Sequence, residues 1–180
     1  LHHLNGTRGR IAVYAGGLGP PVLLVHSVNA LASVAEIRPL FEALRQDHSV
    51  YALDLPGYGL SERQPSAYSV SDMCSAISQV AHWVAERHTG EPLHALAVSL
   101  SCEFVARVAQ ETPGLLAALV LVSPTGFRGG RALRQPAGQT LYMPRFDQFL
   151  RRPGPGWGRF LFRQLSRPSV VRYFLKRTWG

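Results

Sequence analysis

A doubly wound α/β fold on a mostly parallel sheet is predicted by three features of this 180-residue sequence: four short apolar runs, amphipathic stretches between them, and turn residues at the junctions. The runs are Val22 to Val25, Val50 to Leu53, Leu93 to Val98 and Ala118 to Val122. Each is too short for a helix and, His94 apart, apolar, as expected of strands buried on both faces of a parallel sheet. Val34, Ile37, Leu40, Phe41 and Leu44 form one helical stripe. Val70, Met73, Ile77, Val80 and Val84 form a second, with Ser69 or Ser71 as its N-cap and Gly90 as its stop. Residues 102–110 give a third, shorter helix before Pro113-Gly114. Strand and helix alternate, which implies right-handed crossovers.

Upstream, the turn-rich segment Asn5 to Gly9 leads into Ile11 to Tyr14, followed by a Gly- and Pro-rich loop from Gly16 to Pro21, the pattern of an edge hairpin. Asn5-Gly6-Thr7 also spells a glycosylation sequon, read as a chance match because no secretory segment accompanies it. Downstream of Val122 a Gly-, Pro- and Arg-rich stretch runs to about Pro144. Helical spacing returns at 145–152 and 157–178, interrupted near Pro168, and no further strand is predicted. The expected organisation is a core over 1–127 and a basic helical segment over 128–180.

An apolar fraction of 46% with 17% charged residues is that of a globular chain. The two cysteines, Cys74 and Cys102, form neither a disulfide framework nor a zinc-ligand pattern, and His2 and His3 sit too near the start to support a metal site. No window reaches the run of about 18 apolar residues that a membrane span needs, and no signal peptide is visible, so a soluble, cytoplasmic protein is expected. The chain opens on Leu1, which leaves a removed leader open. Charge is segregated: seven Arg face ten acids over 1–127, a net of −3, whereas 128–180 carries twelve Arg or Lys against Asp147, a net of +11. Interleaved with Trp157, Phe160, Phe162, Tyr173, Phe174 and Trp179, that block reads either as a lid, the favoured reading, or as a surface for an anionic membrane, an acidic partner or nucleic acid.

Ligands of open parallel sheets bind beyond the carboxyl ends of the strands. One exit reads Ala97-Val98-Ser99-Leu100-Ser101 and runs into a helix. A serine on so sharp a strand-to-helix turn is held in strained geometry with its hydroxyl presented, provided that the residues two places either side are small, as Ala97 and Ser101 are. The Leu100 N–H then lies at a helix N-terminus, suited to a developing oxyanion. The Val25 exit, His26-Ser27-Val28-Asn29, offers the Val28 N–H as a second donor, and the Leu53 exit, Asp54 to Ser61, is a tight loop with Gly57 and Gly59. A second reading of Ser99 is a helix N-cap. Ser101 is a poorer nucleophile candidate because Glu103 would occupy a position that requires a small side chain.

Together these three exits, in this order and spacing, resemble the α/β-hydrolase superfamily from about Ile11 to Gly126. The family's Asp-x-x-Gly-x-Gly-x-Ser loop is matched in full by Asp54, Gly57, Gly59 and Ser61, and its Gly-x-Ser-x-Gly elbow by Ala97, Ser99 and Ser101 with both glycines replaced. Its His-Gly strand exit maps onto His26 and Ser27. The resemblance implies that Ser99 attacks a substrate carbonyl, that the Val28 and Leu100 N–H groups form the oxyanion hole, and that His26, Ser27, Asp54, Gly57 and Gly59 shape the site. A small ester, amide or related carbonyl compound is the implied substrate. Neither metal nor cofactor is expected, nor a nucleic-acid partner, nor stable membrane insertion; the oligomeric state is not legible.

The family's triad runs Ser, then Asp or Glu, then His, yet the histidines of this chain (2, 3, 26, 48, 82, 88 and 94) all precede Ser99. His82 or His94 as a substitute base is disfavoured, the latter because it lies within the strand leading to the elbow. The later acids are Glu103, Glu111 and Asp147. Two further strands are expected after Val122 to cover an otherwise hydrophobic edge. The expectation is therefore a truncated sheet, ending in the start of a cap, in which Ser99 lacks its acid and base. The alternative is a non-catalytic relative that binds an anionic surface or acidic partner through 128–180.

Overall fold

The apolar pentads Pro21–Val25 and Ser49–Leu53 become the paired central strands of the sheet, where packing covers both of their faces. The structure, a computed structural model, describes residues 1–125 and also 160, 163–164, 167–170 and 172–173. In chain order it contains β1 (His2–Gly6), β2 (Gly9–Gly16), β3 (Pro21–Val25), a 3-10 helix (Val34–Ile37) running into α1 (Arg38–Leu44), β4 (Ser49–Leu53), α2 (Val70–Ala85), β5 (His94–Val98), α3 (Ser101–Glu111) and β6 (Ala118–Val122). The strands lie in the order β1-β2-β4-β3-β5-β6. β2 pairs antiparallel with β1 and β4, and the remaining pairs are parallel, with Val25 opposite both Leu53 and Ala97.

From β3 the chain moves outward to β4 and then returns across β3 to β5. The winding therefore reverses between the adjacent strands β3 and β5, and the loops leaving their carboxyl ends diverge around a crevice. Side-chain alternation splits the core between the two faces. Leu23, Val25 and Leu53 pack with Ile77, Val80, Val84, Val105 and Val108 of α2 and α3, while Val22, Leu24, Val50 and Ala52 pack with Val34 and Ile37. Ser69 caps α2 in a capping box: its hydroxyl accepts the Asp72 N–H at 3.1 Å and its own N–H donates to Asp72 Oδ2 at 2.8 Å. Those bonds, the Ser69 N–H foremost, lower the Asp72 pKa.

Four details depart from the sequence reading. A strand, β1, forms at His2–Gly6, where the sequence shows only a ragged start; pairing with β2 supplies its order. Leu40 turns outward, 38% exposed, because the preceding turn is 3-10 at about 3.0 residues per turn and shifts the phase of the stripe. α2 stops at Ala85, short of Gly90, and closes by the Glu86 N–H to the His82 carbonyl. β6 is buried on one face only: Leu119 and Leu121 join the core, whereas Val120 is 54% exposed, and β6 is the sheet's edge among the described residues.

The chain divides into two compact units, Leu1–Arg128 and Gly129–Gly180. In the second, residues 160, 163–164, 168–170 and 172–173 are helical, within the stretch where 157–178 was expected to be so. The expected helix at 145–152, Asp147 and most of the basic block lie outside the described residues. Among the described residues no helix is long and apolar enough to cross a membrane.

Candidate active site

Only Ser99 and Leu100 separate the end of β5 from the start of α3. So abrupt a reversal holds Ser99 at φ 58°, a left-handed conformation that costs a non-glycine residue about 1–3 kcal/mol and persists only where its surroundings enforce it. The enforcing contacts are visible: the Ser99 N–H donates to the Val122 carbonyl at 2.9 Å, and its own carbonyl accepts the Cys102 N–H at 3.1 Å. Ala97 and Ser101, two places either side, are completely buried, so neither position has room for a larger side chain. Leu100 holds the N-cap position of α3, with no side-chain cap. Ser99 is half-buried, and the Leu100 N–H has no backbone partner among the described residues.

Alongside, the β3 exit is tied down one peptide at a time. A trans peptide points its C=O and N–H in opposite directions within one plane, so gripping one end aims the other. In the first plane, the His26 carbonyl accepts the Ser101 hydroxyl at 2.5 Å and the Ser27 N–H donates to Glu36 Oε2 at 2.9 Å. In the second, the Ser27 carbonyl accepts from His26 Nδ1 at 2.6 Å, leaving the Val28 N–H at the opposite end with no backbone partner among the described residues. His26 Nε2 in turn accepts the Leu55 N–H at 3.0 Å, which fixes the proton on Nδ1 and uses both ring nitrogens. The ring is fully buried, with Tyr58 edge-on at 5.3 Å, and burial lowers its pKa despite the Ser27 carbonyl and the Asp54 and Glu36 charges, which raise it.

The third exit is organised around one carboxylate. Asp54 Oδ1 accepts the Val34 N–H at 2.8 Å; Oδ2 accepts the Leu60 N–H at 2.8 Å and the Tyr14 hydroxyl at 3.0 Å. Burial, then the Asp54 charge and hydrogen bond, push the Tyr14 phenol up to about 12. Gly59, at φ 47°, passes so close that a Cβ there would fall on the Asp54 carboxylate. Ser61 closes the loop by accepting the Ala12 N–H at 2.9 Å and donating to the Asp54 carbonyl. A cavity of about 620 Å³ borders Asp54, Gly59 and Leu60 on the side of Tyr14 and Phe41; Ser99 and Val28 do not line it.

The structure thus gathers Ser99, Leu100, His26, Ser27 and Val28 at neighbouring strand exits, with Asp54, Gly57 and Gly59 shaping the loop beyond. It does not bring the other candidate acids and bases there. His94 begins β5, at the opposite end of the strand from Ser99, and His82 donates to the Ser78 carbonyl within α2. Glu103 pairs with Arg107 at 2.6 Å along α3. Ser101 is engaged with His26, and Cys102 lies beneath the turn with its thiol directed to the Ala97 carbonyl, its pKa raised by burial. Two residues escaped the sequence reading. Glu36 lies beside an apolar stripe whose spacing says nothing of its reach to Ser27. Ser123 takes φ 49° where β6 ends beside Ser99, although a following proline biases a residue towards extended backbone.

Comparison with known proteins agrees with this architecture. A 62-residue stretch is 34% identical to a pimeloyl-[acyl-carrier protein] methyl ester esterase of Xylella fastidiosa, covering 34% of this chain and 24% of the esterase. An alpha/beta hydrolase from Sphaerobacter thermophilus superposes with a TM-score of 0.61 at 20% identity, over 97% of this chain and 59% of that one. A haloalkane dehalogenase from Bradyrhizobium elkanii does so at 0.57 and 19%, over 68% of this chain and 39% of its own, so the likeness reports fold rather than reaction. The chain spans at most about three fifths of the length of these relatives. A family model described as the alpha/beta hydrolase fold matches residues 20–167, and with the sheet order and strand exits described above the chain belongs to that family.

Proposed function

We propose that the chain carries the nucleophile and oxyanion half of a serine hydrolase acting on a small ester, amide or related carbonyl compound. The observation that carries this reading is the strained φ of 58° at Ser99, on a two-residue turn beside the β3 exit. In the proposed reaction Ser99 Oγ adds to the substrate carbonyl carbon while its proton passes to a general base. The carbonyl oxygen becomes an oxyanion held by the Val28 and Leu100 N–H groups. Collapse of the tetrahedral intermediate expels the alcohol or amine with a proton, and water then hydrolyses the acyl-serine by the same steps. Donors already aimed at that oxygen need no reorganisation, and one such donor is worth about 10²–10³ in kcat.

The base is not His26, whose lone pair is occupied by the Leu55 N–H, and the sequence holds no histidine after His94. We therefore place the base and its acid outside this chain. Serine at the elbow, where the dehalogenase and epoxide hydrolase patterns have Asp, favours carbonyl substrates; C–C bond hydrolysis uses the same elbow. In the intact protein, Ser99→Ala is expected to abolish p-nitrophenyl ester cleavage. Equal rates in both proteins would remove Ser99 as the nucleophile.

A further inference from the structure

The resemblance assigns the second position of the His26-Ser27 exit to glycine, which has no side chain to anchor; here Ser27 is anchored twice by one residue. Glu36 Oε2 accepts the Ser27 N–H at 2.9 Å and Oε1 accepts its hydroxyl at 2.8 Å. The chain of bonds continues outward: Asn29 Nδ2 donates to Ser27 Oγ at 2.7 Å, and Asn29 Oδ1 accepts the Leu31 N–H at 2.9 Å. Ser27 is 4% exposed, whereas Glu36 stands at the surface, so the carboxylate holds the loop from outside. Ser101 holds the far end of the same peptide plane, through the His26 carbonyl.

The geometry points to Glu36 as a positioning residue for the oxyanion donor, an inference that rests on the serine hydrolase reading. Two consecutive peptide planes present four polar groups. The His26 carbonyl, the Ser27 N–H and the Ser27 carbonyl are held by Ser101, Glu36 and His26. The fourth, the Val28 N–H, is aimed by that grip alone. Releasing Glu36 leaves the first plane held by the Ser101 hydroxyl alone, and a plane held by one hydrogen bond tilts about that bond and carries the second with it. A displacement of about 1 Å at a reacting centre is enough for a loss of about 10²-fold. Because the grip acts on an oxygen that is charged only in the transition state, its loss falls on kcat and not on ground-state binding.

The test compares Glu36→Gln, Glu36→Asp and Glu36→Ala in the intact protein, using a p-nitrophenyl ester and a trifluoromethyl ketone that forms a tetrahedral oxyanion on the serine. Glutamine keeps the length and an acceptor for the Ser27 N–H; aspartate keeps the charge but falls short. Glu36→Ala and Glu36→Asp are expected to lower kcat about 10- to 100-fold with KM within about twofold, and to weaken the ketone in parallel, while Glu36→Gln stays within about threefold of wild type. If Glu36→Ala fails to fold, the glutamine and aspartate pair decides. Unchanged kcat in Glu36→Asp, or a loss in Glu36→Gln as large as in Glu36→Asp, would overturn the assignment. Ser99→Ala in the same assay separates the two ideas: if it is inactive while the Glu36 variants match wild type, only the Glu36 inference fails.

Discussion

Ser101 and His26, 75 residues apart in sequence, are joined by a hydrogen bond from the Ser101 hydroxyl to the His26 carbonyl. Both residues are completely buried, so the bond locks the first turn of α3 to the loop that leaves β3. A glycine at position 101 would satisfy the need for a small residue and lose this tie. Ser101→Ala keeps the small size and strands a buried carbonyl, which costs about 1–3 kcal/mol. Urea unfolding is expected to show a loss of that size; no change in midpoint would mean that the carbonyl finds water or another donor.

The Asp54 carboxylate makes a paired prediction with glycine. Gly59→Ala and Gly90→Ala both place a side chain at positive φ, a penalty of about 1–2 kcal/mol. At Gly90 the new methyl meets nothing, whereas at Gly59 it strikes the Asp54 carboxylate, which accepts three hydrogen bonds. Unfolding free energies are expected to fall by about 1 kcal/mol for Gly90→Ala and by about 3 kcal/mol or more for Gly59→Ala. Equal losses would show that the carboxylate moves aside freely.

His26 makes stability depend on pH. Burial first, against the Ser27 carbonyl and the Asp54 and Glu36 charges, leaves its folded pKa below the ordinary 6.5. Between the two values the unfolded chain binds a proton that the folded chain refuses, so stability rises with pH there. The contribution is intact above about pH 6.5 and is lost as pH falls from there towards the lowered folded value. Chemical denaturation between pH 7.5 and about 5 is expected to show a declining midpoint, with a shallower slope in His26→Gln, whose amide both donates and accepts hydrogen bonds but does not titrate. Parallel slopes would assign the pH dependence to other groups.

Much of the fold was legible because burial on both faces requires continuous apolar runs: Pro21–Val25 and Ser49–Leu53 announce themselves as buried strands. Ala118–Val122 carries the same signal and yet is exposed on one face, since apolar composition reports what a strand is able to bury and not what packs against it. Leu40 failed for a local reason, a 3-10 turn that no spacing rule anticipates. At the site, Ala97-Val98-Ser99-Leu100-Ser101 was legible because tight turns demand small neighbours. The partnership of Glu36 with Ser27 was not, because nothing in a surface glutamate records which backbone donor lies within its reach.

The sequence alone determined the alternation of strands and helices, the three strand exits and their order, and Ser99 as the residue on the turn, all of which follow from local pattern and side-chain size. The tertiary structure decided which donors face which acceptors: Ser101 and Glu36 on the two ends of one peptide, His26 with both nitrogens committed, and the Val28 N–H left over. Ser101 with His26 and Leu55 with His26 join residues distant in the chain, and they meet because β5 and β4 flank β3 in register. A trans peptide keeps its C=O and N–H opposed, so holds on its two ends fix where it points, and the hold from Ser101 exists only in the assembled sheet.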